Sequence, residues 1–202
     1  MKQQVFLIHG GDAFDTYEEY IADLEKMTVT IEGTLFEGWK PNLKKSLADV
    51  CDVILPRMPN PQNARYKEWK IMFEKFVPQF GENIIFIGHS LGAVFLAKWL
   101  SEEKYSKKIL ATILVAAPYF NSKDYPFVDF NIEIGLSGLQ EQGGEIILYQ
   151  SKDDLEVPFS SFERYQKELP NATTRIFVDR QHFNQAHLPE LEEDVRRLIL
   201  RE

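Results

Sequence analysis

The run Asn83-Ile84-Ile85-Phe86-Ile87-Gly88-His89-Ser90-Leu91-Gly92 decides the architecture. Its first half is continuously apolar, the pattern of a strand covered on both faces. Its second half is Gly-x-Ser-x-Gly. Residues 91–100 follow, apolar nearly all round, and predict a deeply buried helix. Strand, sharp turn and helix in that order give the motif its meaning. A serine at such a turn is held in strained backbone with its Oγ above the sheet. The flanking glycines let strand and helix approach where side chains would clash. A helix that starts at Ser90 also aims N–H groups and the positive end of its dipole at developing negative charge. Serine is a good helix cap in its own right, but this context favours a nucleophile.

Working outward, five more short runs read as strands: 5–8, 52–55, 109–115, 145–149 and 174–178, beside 83–87. Helical patterns separate them. Tyr66, Trp69, Phe73 and Phe76 form one apolar stripe, and Leu191, Val195, Leu198 and Ile199 another. Strand and helix in alternation predict an α/β fold, a six-stranded, mainly parallel sheet with helices on both faces. The 202 residues fit one domain, 1–202. Such sheets bind ligands beyond the carboxyl ends of their strands.

Composition narrows the function classes. There are 31 acidic against 23 basic side chains, a net charge of −8. That balance argues against nucleic acid, which needs a basic footprint, and against anionic membrane surfaces. The single cysteine, Cys51, excludes an internal disulfide. No apolar run approaches the roughly 20 residues that span a bilayer, and no export signal is visible. A cytoplasmic location is expected. The four histidines form no metal-binding pair and no phosphate-binding glycine motif is present, so no metal and no cofactor is expected.

A serine nucleophile needs an oxyanion hole, a base and an acid. The first oxyanion donor is expected from the Leu91 N–H. The second is expected from the turn His9-Gly10-Gly11, with Gly11 ahead of Gly10. His9 itself reads as structural. The acid should follow the fifth strand, where Asp153, Asp154 and Glu156 compete. The base should follow the sixth, where His182 lies four residues past Val178 and His187 is the rival beside the last helix. Trp39 and Phe183 are candidate substrate contacts, with Gly10. The loop 118–142, with Tyr119, Phe120, Tyr125, Phe127 and Phe130, either lines an acyl pocket or packs onto the body.

Taken together, these residues resemble a small α/β-hydrolase. The chain is most similar to the family that includes retinoblastoma-binding protein nine and its bacterial YdeN-type relatives. The stretches that carry the likeness are Glu37-Gly38-Trp39-Lys40-Pro41-Asn42-Leu43, Met58-Pro59-Asn60-Pro61 with Trp69, residues 81–92, Asp154-Leu155-Glu156-Val157-Pro158, His182-Phe183-Asn184 and Leu188-Pro189-Glu190-Leu191. The resemblance implies a compact hydrolase without a large lid domain, and strands in the order second, first, third, fourth, fifth, sixth. It selects Asp154 as the acid, in a D-x-x-V-P loop. It implies a cofactor-free serine hydrolase acting on small acyl substrates, esters first, with amide or peptide bonds the alternative. A non-catalytic protein-binding module on the same fold is the other class, and no protein partner can be named. Two departures stand out. Ala93 replaces a frequent third glycine, and Arg180-Gln181 precede His182 where relatives often have glycines. The first loop is also long, with an amphipathic stretch at 17–24 and an excursion at 28–36 that is a candidate cover for the site.

Overall fold

The computed structural model describes residues 2–120 and 128–201. Six strands form one sheet: β1 (Gln3–Ile8), β2 (Cys51–Ile54), β3 (Ile84–His89), β4 (Ile109–Val115), β5 (Glu145–Ser151) and β6 (Thr173–Phe177). Their order is β2-β1-β3-β4-β5-β6, as the resemblance implies, and all five pairings are parallel. The strand ends lie within two residues of the expected ones, and β4 matches at both ends. β3 continues through Gly88 and His89 because both stay in register with Leu114 and Val115.

Alternation along the strands sends side chains into two cores. Phe6, Ile8, Ile84 and Phe86 face one side, where they meet α4 (Tyr66–Phe76) and α5 (Leu91–Glu102). Val5, Leu7, Ile85 and Ile87 face the other, where they meet α3 (Trp39–Ser46) and α8 (Pro189–Leu200). The first core is rich in aromatic rings. Phe73 lies edge-on to Phe6, Phe95 and Trp99 with centroids 5.6, 5.4 and 4.8 Å away, a geometry that adds to simple burial. The remaining helices are α1 (Tyr17–Lys26), α2 (Ile31–Leu35), α6 (Ser137–Gln142) and α7 (Phe159–Glu168). Among the described residues no helix is long and apolar enough to cross a membrane.

The helix α3, between β1 and β2, packs on one face, and α5, after β3, packs on the other. β1 and β3 are neighbours. Their carboxyl ends therefore part, and the turns after Ile8 and His89 open a crevice there. The first loop supplies α1 and α2, neither of which buries a residue. α1 is held by its own cap: the Thr16 hydroxyl accepts from the Glu19 N–H and the Glu19 carboxylate accepts from the Thr16 N–H.

Candidate active site

Ser90 joins β3 directly to α5, with φ 54° and ψ −123°. A non-glycine residue at positive φ is strained. The turn is held by the Ser90 N–H donating to the Val115 carbonyl at 2.9 Å and by the Ser90 carbonyl accepting from Ala93 and Val94. The motif's glycines have steric causes. A Cβ on Gly88 would lie 2.5 Å from Ala93 Cα, and one on Gly92 2.5 Å from the carbonyl oxygens of Ile8 and His9. Leu91 is the first residue of α5, so its N–H has no acceptor within the helix.

The turn after β1 lies against Ser90: a Cβ on Gly10 would come 3.1 Å from Ser90 Cβ. His9, expected to be structural, fixes this turn. The Met58 N–H donates to His9 Nε2 at 3.0 Å, so Nδ1 carries the ring hydrogen and donates to the Gly10 carbonyl at 2.6 Å. Burial lowers the His9 pKa and keeps this neutral form. In a trans peptide the carbonyl and the next N–H point opposite ways. Drawing the Gly10 oxygen toward His9 thus turns the Gly11 N–H away from it. The Pro-rich stretch braces the same turn, with Asp12 N–H donating to the Pro61 carbonyl and Ala64 N–H to the Asp12 carbonyl, each at 2.8 Å.

The structure brings His182 and Asp154 together. His182 Nδ1 lies 2.9 Å from Asp154 Oδ2. An ionised carboxylate only accepts, so Nδ1 donates and Nε2 is left bare. The Glu156 and Val157 N–H groups donate to Asp154 Oδ1, both at 2.9 Å. Burial works to raise the Asp154 pKa, but the bond from His182 and these N–H groups hold it below the usual carboxylate value. Asp153 points elsewhere: it accepts from the Ser151 hydroxyl and from the Gln181 N–H, tying the acid loop to the histidine loop. Its pKa is lowered chiefly by the Ser151 bond. His187 is exposed. His182 Nε2 faces Glu156, 3.4 Å from its carboxylate. No hydrogen bond joins Ser90 to His182 among the described residues, although both line one cleft.

Ser90 stands between two clefts. One, about 270 Å³, is walled by Phe14, Leu91, Pro118, Phe120, Val157 and Pro158. The other, about 370 Å³, is polar, with His9, Lys40, Gln62, His89, His182 and Asn184. Gly11, Asp12 and Glu156 border both.

A family model described as "Serine hydrolase" matches residues 33–189, a span that holds Ser90, Asp154 and His182. The chain belongs to the serine hydrolase family. It is 27% identical to the YdeN protein of Bacillus subtilis (strain 168) over 190 residues, 90% of this chain and 85% of that one. The crystal structure of the B. subtilis ydeN gene product superimposes with a TM-score of 0.75 at 22% identity, covering 98% of this chain and 99% of that one. A lipase-esterase related protein from Clostridium acetobutylicum ATCC 824 gives 0.64 at 13% identity, with 97% and 94% covered. Est1E from Butyrivibrio proteoclasticus gives 0.63 at 13%, with 99% and 88% covered. These structures share the α/β-hydrolase fold.

Several candidates of this serine hydrolase sit away from the clefts. Trp39 and Phe183 are buried in the core, where the Trp39 indole N–H donates to the Phe183 carbonyl at 2.7 Å. They support the histidine loop from beneath and do not line the site. Tyr119 is buried too, bonded to Glu168 and packed on Tyr165. Phe130 packs on Tyr66 and Trp69. Of that loop, Pro118 and Phe120 reach the apolar cleft, while Tyr125 and Phe127 lie outside the described residues. In the first loop Ala13, Phe14 and Asp23 border the same cleft, whereas the residues of α2 border neither. Sequence reasoning missed three participants. His89 donates from Nε2 to the His182 carbonyl at 2.8 Å and so anchors the histidine loop. Lys40 and Asp12 line the polar cleft. Each lies beside a stretch the sequence singles out, His89 within the serine motif, Lys40 after Trp39 and Asp12 after the glycine turn, but none of these patterns gives the side chain's contact.

Proposed function

We propose that this serine hydrolase cleaves small carboxylic esters through an acyl-enzyme formed on Ser90. One observation carries the reading: a serine at φ 54° above the strand switch, sharing a cleft with a histidine whose Nδ1 donates to a buried carboxylate. In the proposed cycle the Ser90 oxygen attacks the acyl carbon while His182 Nε2 takes the hydroxyl proton. The Leu91 and Gly11 N–H groups receive the developing oxyanion. The intermediate collapses, the ester C–O bond breaks, and His182 returns its proton to the leaving oxygen. Water then repeats the sequence on the acyl-enzyme and frees the acid. Asp154 orients the imidazole and stabilises its charged form. For this, Nε2 must exchange Glu156 for Ser90. Glu156 is largely exposed, and such contacts tighten when substrate binds. The esterase and lipase-related structures of like fold add support for ester bonds.

The test is hydrolysis of p-nitrophenyl butyrate with fluorophosphonate labelling. Ser90→Ala should lower turnover by on the order of 10⁴-fold with its melting curve intact, and the label should reside on Ser90. Near-normal turnover in that variant would overturn the mechanism.

A further inference from the structure

Lys40 is an unexpected residue where it stands. It occupies the second position of α3, where the dipole disfavours a cation. No carboxylate lies within ion-pair distance among the described residues. Its Nζ lies over the neighbouring Trp39 ring, 4.9 Å from the centroid. Burial alone pushes its pKa down to about 8, and no acid offsets that. A lysine that is partly desolvated, at the wrong end of a helix and without a counter-ion is stabilised only when an anion arrives. Lys40 lines the polar cleft beside Ser90 and is absent from the apolar one.

The two clefts can be assigned from the chemistry proposed above, on which this inference rests. The group that protonates the leaving oxygen must sit beside the leaving group. His182 borders the polar cleft and not the apolar one. The acyl chain then occupies the apolar cleft, against Phe14, Leu91 and Phe120, and the leaving group enters the polar cleft toward Lys40. The acids Asp12 and Glu156 border both clefts, at the seam, whereas Lys40 lies on the polar side alone. Negative charge is therefore disfavoured at the seam and favoured beside Lys40.

We propose that Lys40 selects substrates whose leaving group carries a carboxylate, so that the preferred esters are those of hydroxy acids. The titratable groups that share its cleft are His9 and Asp12 from the β1 turn, His89 from β3, Glu156 from the acid loop and His182 from the histidine loop. These groups are present alike in the wild type and in Lys40→Met, so comparing the ratio of two matched esters between the two enzymes isolates Lys40.

The butyrate esters of 3-hydroxybenzoate and 3-hydroxybenzamide form the pair. The carboxylate ester should show a kcat/KM about tenfold higher at pH 7, equivalent to one partly buried charge contact. The ratio should fall toward one as pH rises through about 8, as Lys40 loses its charge in the free enzyme. In Lys40→Met the ratio should be near one at every pH. A ratio of one in the wild type, or a preference that survives in Lys40→Met, overturns the proposal. Should that variant fail to fold, the wild-type pH dependence decides alone, a pH-independent ratio counting against it. Hydrolysis of neither ester, with Ser90 unlabelled by fluorophosphonate, overturns the hydrolase reading and this inference with it. Hydrolysis of both at equal rates overturns only the role of Lys40.

Discussion

Gln181 and Phe183 flank His182 with φ of 46° and 55°. Two strained residues in three are tolerated because the loop is over-determined. The His182 carbonyl accepts from His89, the Phe183 carbonyl from Trp39, and the Gln181 N–H donates to Asp153. Before the histidine, Arg180 and Gln181 are held by hydrogen bonds, including Arg180 N–H to the Ser151 hydroxyl at 3.1 Å. The two adjacent aspartates consequently divide the work. Asp154 sets the imidazole, while Asp153 sets the loop that carries it. Asp154→Asn presents an amide that can donate toward Nδ1. The ring then keeps its proton on Nε2 and cannot accept from Ser90. A fall in kcat of about 10⁴ with little change in KM is expected. Asp153→Asn keeps an oxygen for the Ser151 hydroxyl and the Gln181 N–H and should stay within about tenfold. Steady-state kinetics of the pair check this, and equal losses would refute the division.

At the scale of elements, the site depends on how closely β1, β3 and α5 approach. The carbonyls of Ile8 and His9 lie where a Gly92 side chain would begin. Gly92→Ala must push α5 from β1 and so separate the Leu91 N–H from the Gly11 N–H. A loss of about 2–3 kcal/mol in denaturant unfolding is expected, together with a fall in kcat. Unchanged stability and turnover would show the approach to be slack. This arrangement was legible in the sequence because it rests on local patterns. Continuous apolar runs marked β1, β3, β4 and β5, and Gly88-x-Ser90-x-Gly92 marked the turn. α5 was legible for its all-round apolarity, and all of its residues from Leu91 to Leu100 are buried. What escaped was set by long-range packing. Trp39 and Phe183 are large aromatic residues near the site in either sequence or space, yet they meet each other across 144 positions and sink into the core. Nothing local in the sequence sets Lys40 apart, and only the fold places it in the polar cleft, with no carboxylate within ion-pair distance among the described residues. The excursion 28–36 read as a cover, but its α2 buries nothing and leaves Ile31 and Leu35 exposed.

For the whole molecule, the buried His89, the half-buried His9 and buried, paired carboxylates set how stability depends on pH. His89 is buried, and desolvation first and the Lys40 charge second hold its pKa well below the ordinary value; burial also lowers that of His9. A histidine that resists protonation in the fold but accepts a proton when unfolded makes the unfolded state bind more protons. Stability from such a group is complete above about pH 6.5 and falls as the pH drops below it, by up to about 1.4 kcal/mol per pH unit for each proton. The carboxylates act lower. Burial works to raise the Asp194 pKa, but the bonds from Arg175 and Tyr149 and the bond from Arg197 bring it below the usual value, and Asp154 is lowered likewise. Their contribution is present above roughly pH 4 and is lost as the pH falls through the folded values. Two successive declines are therefore expected, the first already under way at pH 6 with every carboxylate pair intact. His89→Gln isolates the first. Its amide can still donate to the His182 carbonyl, so the loop anchor is retained while the titrating ring is removed. Urea unfolding at pH 7.5, 6.5 and 5.5 should give a slope of stability against pH that is shallower in the variant by up to one proton. Parallel slopes would mean that His89 takes up a proton in the folded protein as readily as in the unfolded chain, which its burial and the nearby Lys40 ammonium oppose.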